Sequence, residues 1–231
     1  MENQRAYEKV IEHIKQEILS GALVQGQKLP PEREMAESLG VGRNSVREAL
    51  RTLGIIGVIV STQGAGNYVA GRFDKSLVEW MNMMYLLRRI DYRQLSEFRH
   101  SLEMQAGQLA LARITEEDIH FLKETVRELG QSQDEVKNTA LDKQLHYRIA
   151  QASGNQLIVE ILQALSYVMD TFIQELRKKI QLDEHSRMLL QSTHENMVHA
   201  LISKDAKLLS KAYADHFSLI SAALNAKVSF K

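Results

Sequence analysis

Hydrophobic residues recur at intervals of three or four along most of the chain, which is the spacing of amphipathic helices. In the N-terminal part this pattern predicts helices over residues 4–20, over residues 32–39 and from Asn44 to about Leu53. We expect Asn44 or Ser45 to cap the third helix, because their side chains accept hydrogen bonds from free backbone amides. Two short helices joined by a turn that contains glycine are typical of a helix-turn-helix.

The next segment predicts a β-hairpin. Residues 56–61 and 67–70 favour strands, and a tip that contains glycine, residues 62–66, separates them. Three helices followed by a hairpin make a winged helix-turn-helix, which is predicted over residues 1–70. A linker is predicted over residues 71–75.

The rest of the chain, residues 76–231, has helical spacing and no strand pattern. The predicted helices run over residues 75–89, 92–113, 116–131, 134–153, 155–180, 184–203 and 205–225. The fifth of these carries a wide apolar stripe, so we expect it at the centre of a bundle. The predicted fold class is therefore mostly α, with a winged helix-turn-helix (three helices plus a β-hairpin) followed by an all-α antiparallel helical bundle.

Composition excludes several classes of protein. The sequence has no cysteine, which excludes a disulfide framework and thiolate metal ligands. No apolar run reaches the roughly 18 residues that span a bilayer, and the N-terminus lacks the apolar segment of a signal peptide. These features predict a cytoplasmic protein with no membrane partner. The 29 basic residues balance the 29 acidic ones, so any surface that binds nucleic acid must be local.

Three arginines form such a local feature. Arg43, Arg47 and Arg51 are four residues apart in the third predicted helix, so they share one edge. A guanidinium can hold two acceptors of a guanine, or a phosphate. The amides at the helix start, near Asn44 and Ser45, can also meet a phosphate. The alternative is that these arginines form an ordinary solvated helix face.

The segment LPPEREMAESLGVGRNSVREALRTLGIIGVIVSTQGAGNYVA resembles the DNA-binding domain of the GntR family of bacterial regulators. Its motifs are proline followed by E-R-E-x-A, then R-x-S-V-R-E-A-L-R, then G-x-G-x-x-V. The resemblance covers about residues 8–70 and implies that this domain binds double-stranded operator DNA. The implied contacts are Arg33, Arg43, Ser45 and Arg47, with Gly64 letting the wing approach the minor groove; Asn44 joins them from its place at the helix start.

Four polar residues of the second domain fall on apolar helix faces. Asp142 and His146 are one turn apart, and His194 and His216 are in register with apolar residues of their own helices. An unpaired polar group there costs a few kcal/mol, so a partner is expected. A divalent metal ion fits, because imidazole and carboxylate ligands suit zinc or nickel, with iron and manganese also open. The alternative is that each histidine is satisfied separately within the core.

The same four residues resemble the metal ligands of the FCD domain, the all-helical ligand-binding domain of the FadR branch of the family. This resemblance spans about residues 75–225 and implies that all four hold one ion. It further implies a small carboxylic acid effector, whose carboxylate Arg99 would hold. The alternative for Arg99 is a surface residue that pairs with Glu103, four positions on.

The sequence therefore predicts a transcription regulator that is not an enzyme. We expect a homodimer whose operator affinity is controlled by a small organic acid bound at the metal site. One alternative is a regulator that senses an acyl thioester without metal. Another is a metal-dependent hydrolase, although we find no free carboxylate at a fixed offset to act as general base, and a DNA-binding domain would be unexplained.

Overall fold

The computed structural model describes residues 2–70, 74–180 and 183–225. The chain forms two compact units, Met1–Trp80 and Met81–Lys231. The division falls inside the first helix after the predicted linker, later than the predicted domain limit at residue 70. Most of that linker, residues 71–73, lies outside the described residues.

The N-terminal unit has the predicted order of three helices and a hairpin. Its elements are α1 (Glu2–Leu19), α2 (Glu32–Leu39), α3 (Arg43–Ile55), β1 (Ile59–Thr62) and β2 (Gly66–Val69). The two strands pair antiparallel, with Ile59 opposite Val69 and Thr62 opposite Gly66. The prediction of a winged helix-turn-helix is confirmed.

This unit packs around one small apolar core. Val10 and Ile14 on α1 are buried together with Val46, Ala49 and Leu50 on α3. Because these residues recur at helical spacing, each helix turns one apolar face inward and leaves its other face to solvent. The exposed face of α3 is the one that carries the arginines.

The start of α3 differs from the prediction. The helix begins at Arg43, and its N-cap is Gly42, which makes no side-chain hydrogen bond. Asn44 and Ser45 therefore lie inside the first turn, so the prediction that one of them caps the helix is wrong. The first turn of α3 has no side-chain cap, which leaves backbone amides there for an external acceptor.

The first strand is also shorter than predicted. It begins at Ile59 instead of Ile56, because α3 continues to Ile55 and a turn follows. Gly57 makes that turn with a φ of 79°, a left-handed conformation that glycine adopts without steric cost. A β-branched run is thus divided between a helix end, a turn and a strand.

The C-terminal unit is helical in its described residues. The remaining helices are α4 (Asp74–Arg88), α5 (Tyr92–Ala110), α6 (Glu116–Gln131), α7 (Glu135–Ala152), α8 (Gln156–Ala164), α9 (Ser166–Ile180), α10 (Glu184–Ser203) and α11 (Ala206–Asn225). Helix α4 begins within the predicted linker and contains the division between the two units. The predicted all-helical domain is confirmed, with one helix divided in two.

The helix predicted over residues 155–180 is broken between α8 and α9, which are bent by 72°. The apolar stripe continues across the break through buried Leu165 and Val168, so hydrophobic spacing alone could not reveal it. The bend places α8 against a small cluster with Ala106 and Ala150, while α9 enters the main core.

The main core is formed by α5, α6, α7, α9, α10 and α11. Leu145 on α7, Phe172 on α9 and Leu201 on α10 are fully buried in it. Helices α5 and α6 begin with capping boxes at Asp91 and Thr115, which fix where these helices start. The functional cluster described below lies between helices that this core holds in place.

Among the described residues, no single helix has the length and hydrophobicity needed to cross a membrane. The bent pair of α8 and α9 reaches those values only when its two helices are taken together.

Two helical glycines provide a test of how closely α5 and α11 pack. A Cβ atom added at Gly107 on α5 would lie 2.7 Å from the buried ring of Tyr213, whereas one added at Gly130 on α6 would meet only the flexible amide of Gln191. Alanine favours a helix over glycine by about 0.8–1.0 kcal/mol, but overpacking a core costs about 1–3 kcal/mol. We expect Gly107→Ala to lower the free energy of unfolding in urea denaturation, and the control Gly130→Ala to leave it unchanged or raise it. Equal stabilisation by both would contradict the close packing.

Candidate functional site

The exposed face of α3 carries the side chains predicted to bind DNA. Arg43, Asn44 and Arg47 are exposed, and among the described residues Arg43 has no ion-pair partner. Arg47 Nη2 lies 3.2 Å from Glu32 Oε2 on α2, in a pair whose arginine side chain is 67% exposed. Such an exposed pair contributes little to stability, so Arg47 can exchange it for another anion.

The other predicted DNA contacts lie on α2, in α3 and on the wing. Arg33 is exposed on α2, with its Nε 4.0 Å from Glu37 Oε1. Ser45 is 3% exposed and does not share the surface of the arginines. Gly64 is exposed at the hairpin tip with a φ of 75°, and an added Cβ would meet nothing within 4 Å. In the free protein, glycine at the tip is therefore required by backbone conformation and not by crowding.

In the helical unit, α7, α10 and α11 bring three histidines together. One ring nitrogen each from His146, His194 and His216 lies within 4.8 Å of the others, and all three residues are buried. Asp142, one turn before His146, places its Oδ1 3.4 Å from His194 Nε2. The four residues predicted as ligands thus converge on one place in the core, which we call the histidine cluster.

The ring nitrogens of this cluster lack partners within the protein. Both ring nitrogens of His146 and His194, and Nε2 of His216, are buried without a hydrogen-bond partner in the described residues. The alternative that each histidine is satisfied separately is therefore wrong. Because unsatisfied buried polar atoms are costly and rare, the cluster calls for a ligand, and three imidazoles with a carboxylate suit a divalent transition metal.

Thr193 fixes the tautomer of His216. The Thr193 hydroxyl donates its one hydrogen to the carbonyl oxygen of Leu190 at 2.7 Å and lies 3.1 Å from His216 Nδ1. His216 Nδ1 must therefore carry a proton and donate to Thr193 Oγ1. The lone pair of His216 Nε2 is left free and points to the cluster's side of the ring, as in metal-ligating histidines held by an outer partner.

Sequence reasoning missed Glu103 as part of the site. Glu103 Oε2 lies 2.6 Å from His146 Nδ1, although the angle is outside hydrogen-bond geometry. A buried carboxylate therefore does adjoin the histidines, contrary to the expectation of none at a fixed offset. The signal was its spacing on α5, since Glu103 is in register with buried Ala106 and Gly107.

Two arginines border the cluster. Arg99 bonds to Glu103 and lies 3.9 Å from Asp142 Oδ2, but at 2% exposure it is not the surface residue of the alternative interpretation. Arg177 on α9, which the sequence reasoning also missed, places Nη1 3.5 Å from Asp142 Oδ1 and Nε 3.3 Å from Glu135 Oε2. Its position four residues after buried Ile173 was the available signal.

Comparison with known families agrees with both halves of the chain. Residues 6–69 match the family model of bacterial regulatory proteins, gntR family, and residues 94–219 match the FCD domain. The chain belongs to the GntR family. It is a DNA-binding transcriptional regulator of this family with an FCD ligand-binding domain.

Similar GntR-type proteins cover nearly the whole chain. The HTH-type transcriptional regulator LutR of Bacillus subtilis (strain 168) is 27% identical over 90% of this chain and 96% of its own. The Uxu operon transcriptional regulator of Escherichia coli (strain K12) is 30% identical over 92% and 84%. Another protein of that strain, named for the L-lactate dehydrogenase operon, is 28% identical over 94% and 85%.

Among solved structures, the Streptococcus agalactiae GntR has a TM-score of 0.66 at 24% identity, covering 94% of this chain and 99% of that one. At this identity the likeness supports the fold alone. The relatives and the two family models describe transcriptional regulators and not enzymes, so the hydrolase alternative is wrong.

Burial sets the charges within the histidine cluster of this GntR regulator. Desolvation lowers the pKa of His194 to about 3, although Asp142 opposes the shift. Desolvation also lowers the pKa of His216 well below its ordinary value. For Asp142 and Glu103 burial acts in the other direction, but the facing imidazoles and arginines outweigh it and hold both carboxyl pKa values low. The site therefore offers neutral His194 and His216 rings and two carboxylates, the forms that bind metal.

The metal-free protein should lose stability as the pH falls below about 6.5. The unfolded chain protonates its histidines near the ordinary pKa of 6.5, whereas His194 resists protonation down to about 3 in the folded chain. The unfolded state binds more protons in that window, so each such histidine lowers the free energy of unfolding by up to about 1.4 kcal/mol per pH unit. Urea denaturation with a chelator present, at pH values on both sides of about 6.5, measures the slope.

The matched variants for this test are His194→Asn and His199→Asn, both on α10. His194 is fully buried and His199 is exposed, so the first should flatten the slope and the second should not. A parent protein whose stability is constant across the window would show that the buried imidazoles protonate freely.

Proposed function

We propose that this regulator controls its operator affinity through a divalent metal ion and a small carboxylic acid bound in the FCD domain. The observation that carries the proposal is the histidine cluster, where buried ring nitrogens face one another without partners. An ion would be held by Asp142, His146, His194 and His216. When bound, it would supply open coordination positions for a carboxylate, and zinc or nickel fits the ligand set best, with iron or manganese possible.

The winged helix is the DNA-reading part of the proposal. We assign base or phosphate contacts to Arg43, Asn44 and Arg47, which share the exposed face of α3, and to Arg33 on α2. The first turn of α3 has no side-chain cap, which favours a phosphate at its amides. Gly64 would bring the wing close to the minor groove. Ser45 stays a predicted contact only, because it is buried.

The effector is proposed to be a small organic acid. One relative is named for the L-lactate dehydrogenase operon, which makes small hydroxy acids the first compounds to test. Arg99 lies beside the cluster and remains a predicted partner of the acid. For the acid to regulate DNA binding, its affinity for two states of the protein must differ by about 1–3 kcal/mol.

We also propose a homodimer, since an isologous dimer would match a two-fold operator. Helix α4 carries an exposed apolar stripe at helical spacing, formed by Trp80, Met83, Met84 and Leu87. Exposed apolar surface of this kind marks interaction sites. The stripe is the surface we assign to dimer contacts.

The alternative is a metal-independent sensor of acyl thioesters. The partnerless ring nitrogens favour the metal-dependent form, because an apolar acyl chain would leave them unsatisfied. Metal analysis separates the two alternatives.

Replacing Arg43 or Arg47 with alanine should weaken DNA binding. Each guanidinium contact to a base is worth about 1–3 kcal/mol, so we expect dissociation constants about 10- to 100-fold higher, and a salt slope smaller by about 1 for a lost phosphate contact. Fluorescence anisotropy with a duplex selected from random DNA by the parent protein measures both. Arg127→Ala, which removes an exposed arginine from α6, is the control. Two arginine variants that bind like the parent would remove the basis for this DNA surface.

His194→Ala and His216→Ala should each abolish tight metal binding. The parent, refilled with zinc or nickel and dialysed, should retain about one ion per chain, and the ion should raise the unfolding temperature because it binds the native state. Elemental analysis and calorimetric titration measure these quantities. His185→Ala and His199→Ala, exposed residues of the same helix, should bind like the parent. A parent without metal, or cluster variants that keep it, would favour the acyl-thioester alternative.

A further inference from the structure

A cavity of about 220 Å³ lies beside the histidine cluster. Its described lining is mainly polar and includes Asn138, Arg177, Gln191 and His194. Two of these, Arg177 and His194, also belong to the cluster or contact it. A molecule in this cavity would therefore reach the proposed metal ligands from one side.

Arg177 contributes an unsatisfied donor to this wall. Its side chain is 7% exposed, and its Nη1 has no hydrogen-bond partner in the described residues, although it lies 3.5 Å from Asp142 Oδ1. A buried guanidinium nitrogen without an acceptor is costly. If Asp142 binds a cation, its charge is shared, and Arg177 then needs a further anion even more.

Arg99 is placed differently. It bonds to Glu103 on its own helix, and it is not among the described residues that line the cavity. A ligand carboxylate could pair with Arg99 only by displacing a buried carboxylate that is already in contact. Of the two buried arginines, Arg177 is the one with a free donor that faces available space.

We propose that this cavity is the effector site, and that Arg177 binds the carboxylate of a small organic acid whose oxygens also reach the metal position. The inference rests on the proposed function and adds the location of the acid and its anchoring residue. A volume of about 220 Å³ is below the roughly 300–1,000 Å³ typical of sites for drug-sized ligands. The cavity therefore suits an acid of a few carbon atoms and excludes a long acyl chain.

The test is calorimetric titration of the zinc-loaded full-length protein with L-lactate, malonate and octanoate, together with elemental analysis of each variant. The parent should bind L-lactate or malonate, and octanoate should bind more weakly because it exceeds the cavity. Arg177→Gln should weaken binding of the small acid about 10- to 100-fold, the range expected when a charged hydrogen bond is lost. Its zinc content should stay at the parent value.

Arg187→Gln is the matched control. Arg187 lines the same cavity but is half exposed and pairs with Glu184 on its own helix, so its loss should change acid affinity by less than about threefold. Arg177→Lys keeps the positive charge, should fold if Arg177→Gln does not, and should bind the acid more tightly than Arg177→Gln but less tightly than the parent.

Parent-like acid binding by both Arg177 variants would overturn the proposal. Loss of zinc together with the acid in Arg177→Gln would also overturn it, since Arg177 would then support the metal ligands only. A parent that binds zinc and DNA but none of the acids would refute this site while leaving the metal and DNA parts of the proposed function intact. A parent that binds no zinc would refute the proposed metal site instead.

Discussion

The burial of charged and polar side chains inside an apolar helical core is the constraint on which the C-terminal unit depends. Asp142 and Glu103 are ionised there only because arginines and imidazoles face them, and burial keeps the imidazoles of His194 and His216 neutral. Such a network is tolerated when every member is satisfied, and it is costly when one is not. The partnerless ring nitrogens leave it incomplete, so whatever completes the cluster also stabilises the fold.

This coupling gives the cluster a means of acting on helix packing. Its three histidines come from α7, α10 and α11, and the adjoining Glu103 and Arg177 come from α5 and α9. A ligand that draws these side chains to one point changes the relative stability of different packings of five helices. Closely packed cores change between discrete arrangements and do not deform continuously. A small acid that exchanges one contact in the cluster can therefore favour one arrangement over another.

Hydrophobic spacing was enough to predict the winged helix, the helical domain and the inward direction of the four proposed ligands, because each depends on the period of a single helix. Features set by contacts between helices were missed. The apolar stripe continues through Leu165, so nothing local marked the break between α8 and α9. Gly42 was not expected as the N-cap of α3, because it has no side chain to form the usual capping bond, and the helix begins there without one.

The two buried arginines show why the proposed site could be located but not resolved from the sequence. Arg99 and Glu103 are four residues apart, so their pairing is visible in the sequence and is already complete within α5. Arg177 takes its partners, Glu135 and Asp142, from α7, more than thirty residues away, and one of its nitrogens stays unsatisfied. A local partner occupies an arginine before any ligand arrives, whereas distant partners leave its geometry to the fold. The arginine with the clearer sequence signal is therefore the less available one.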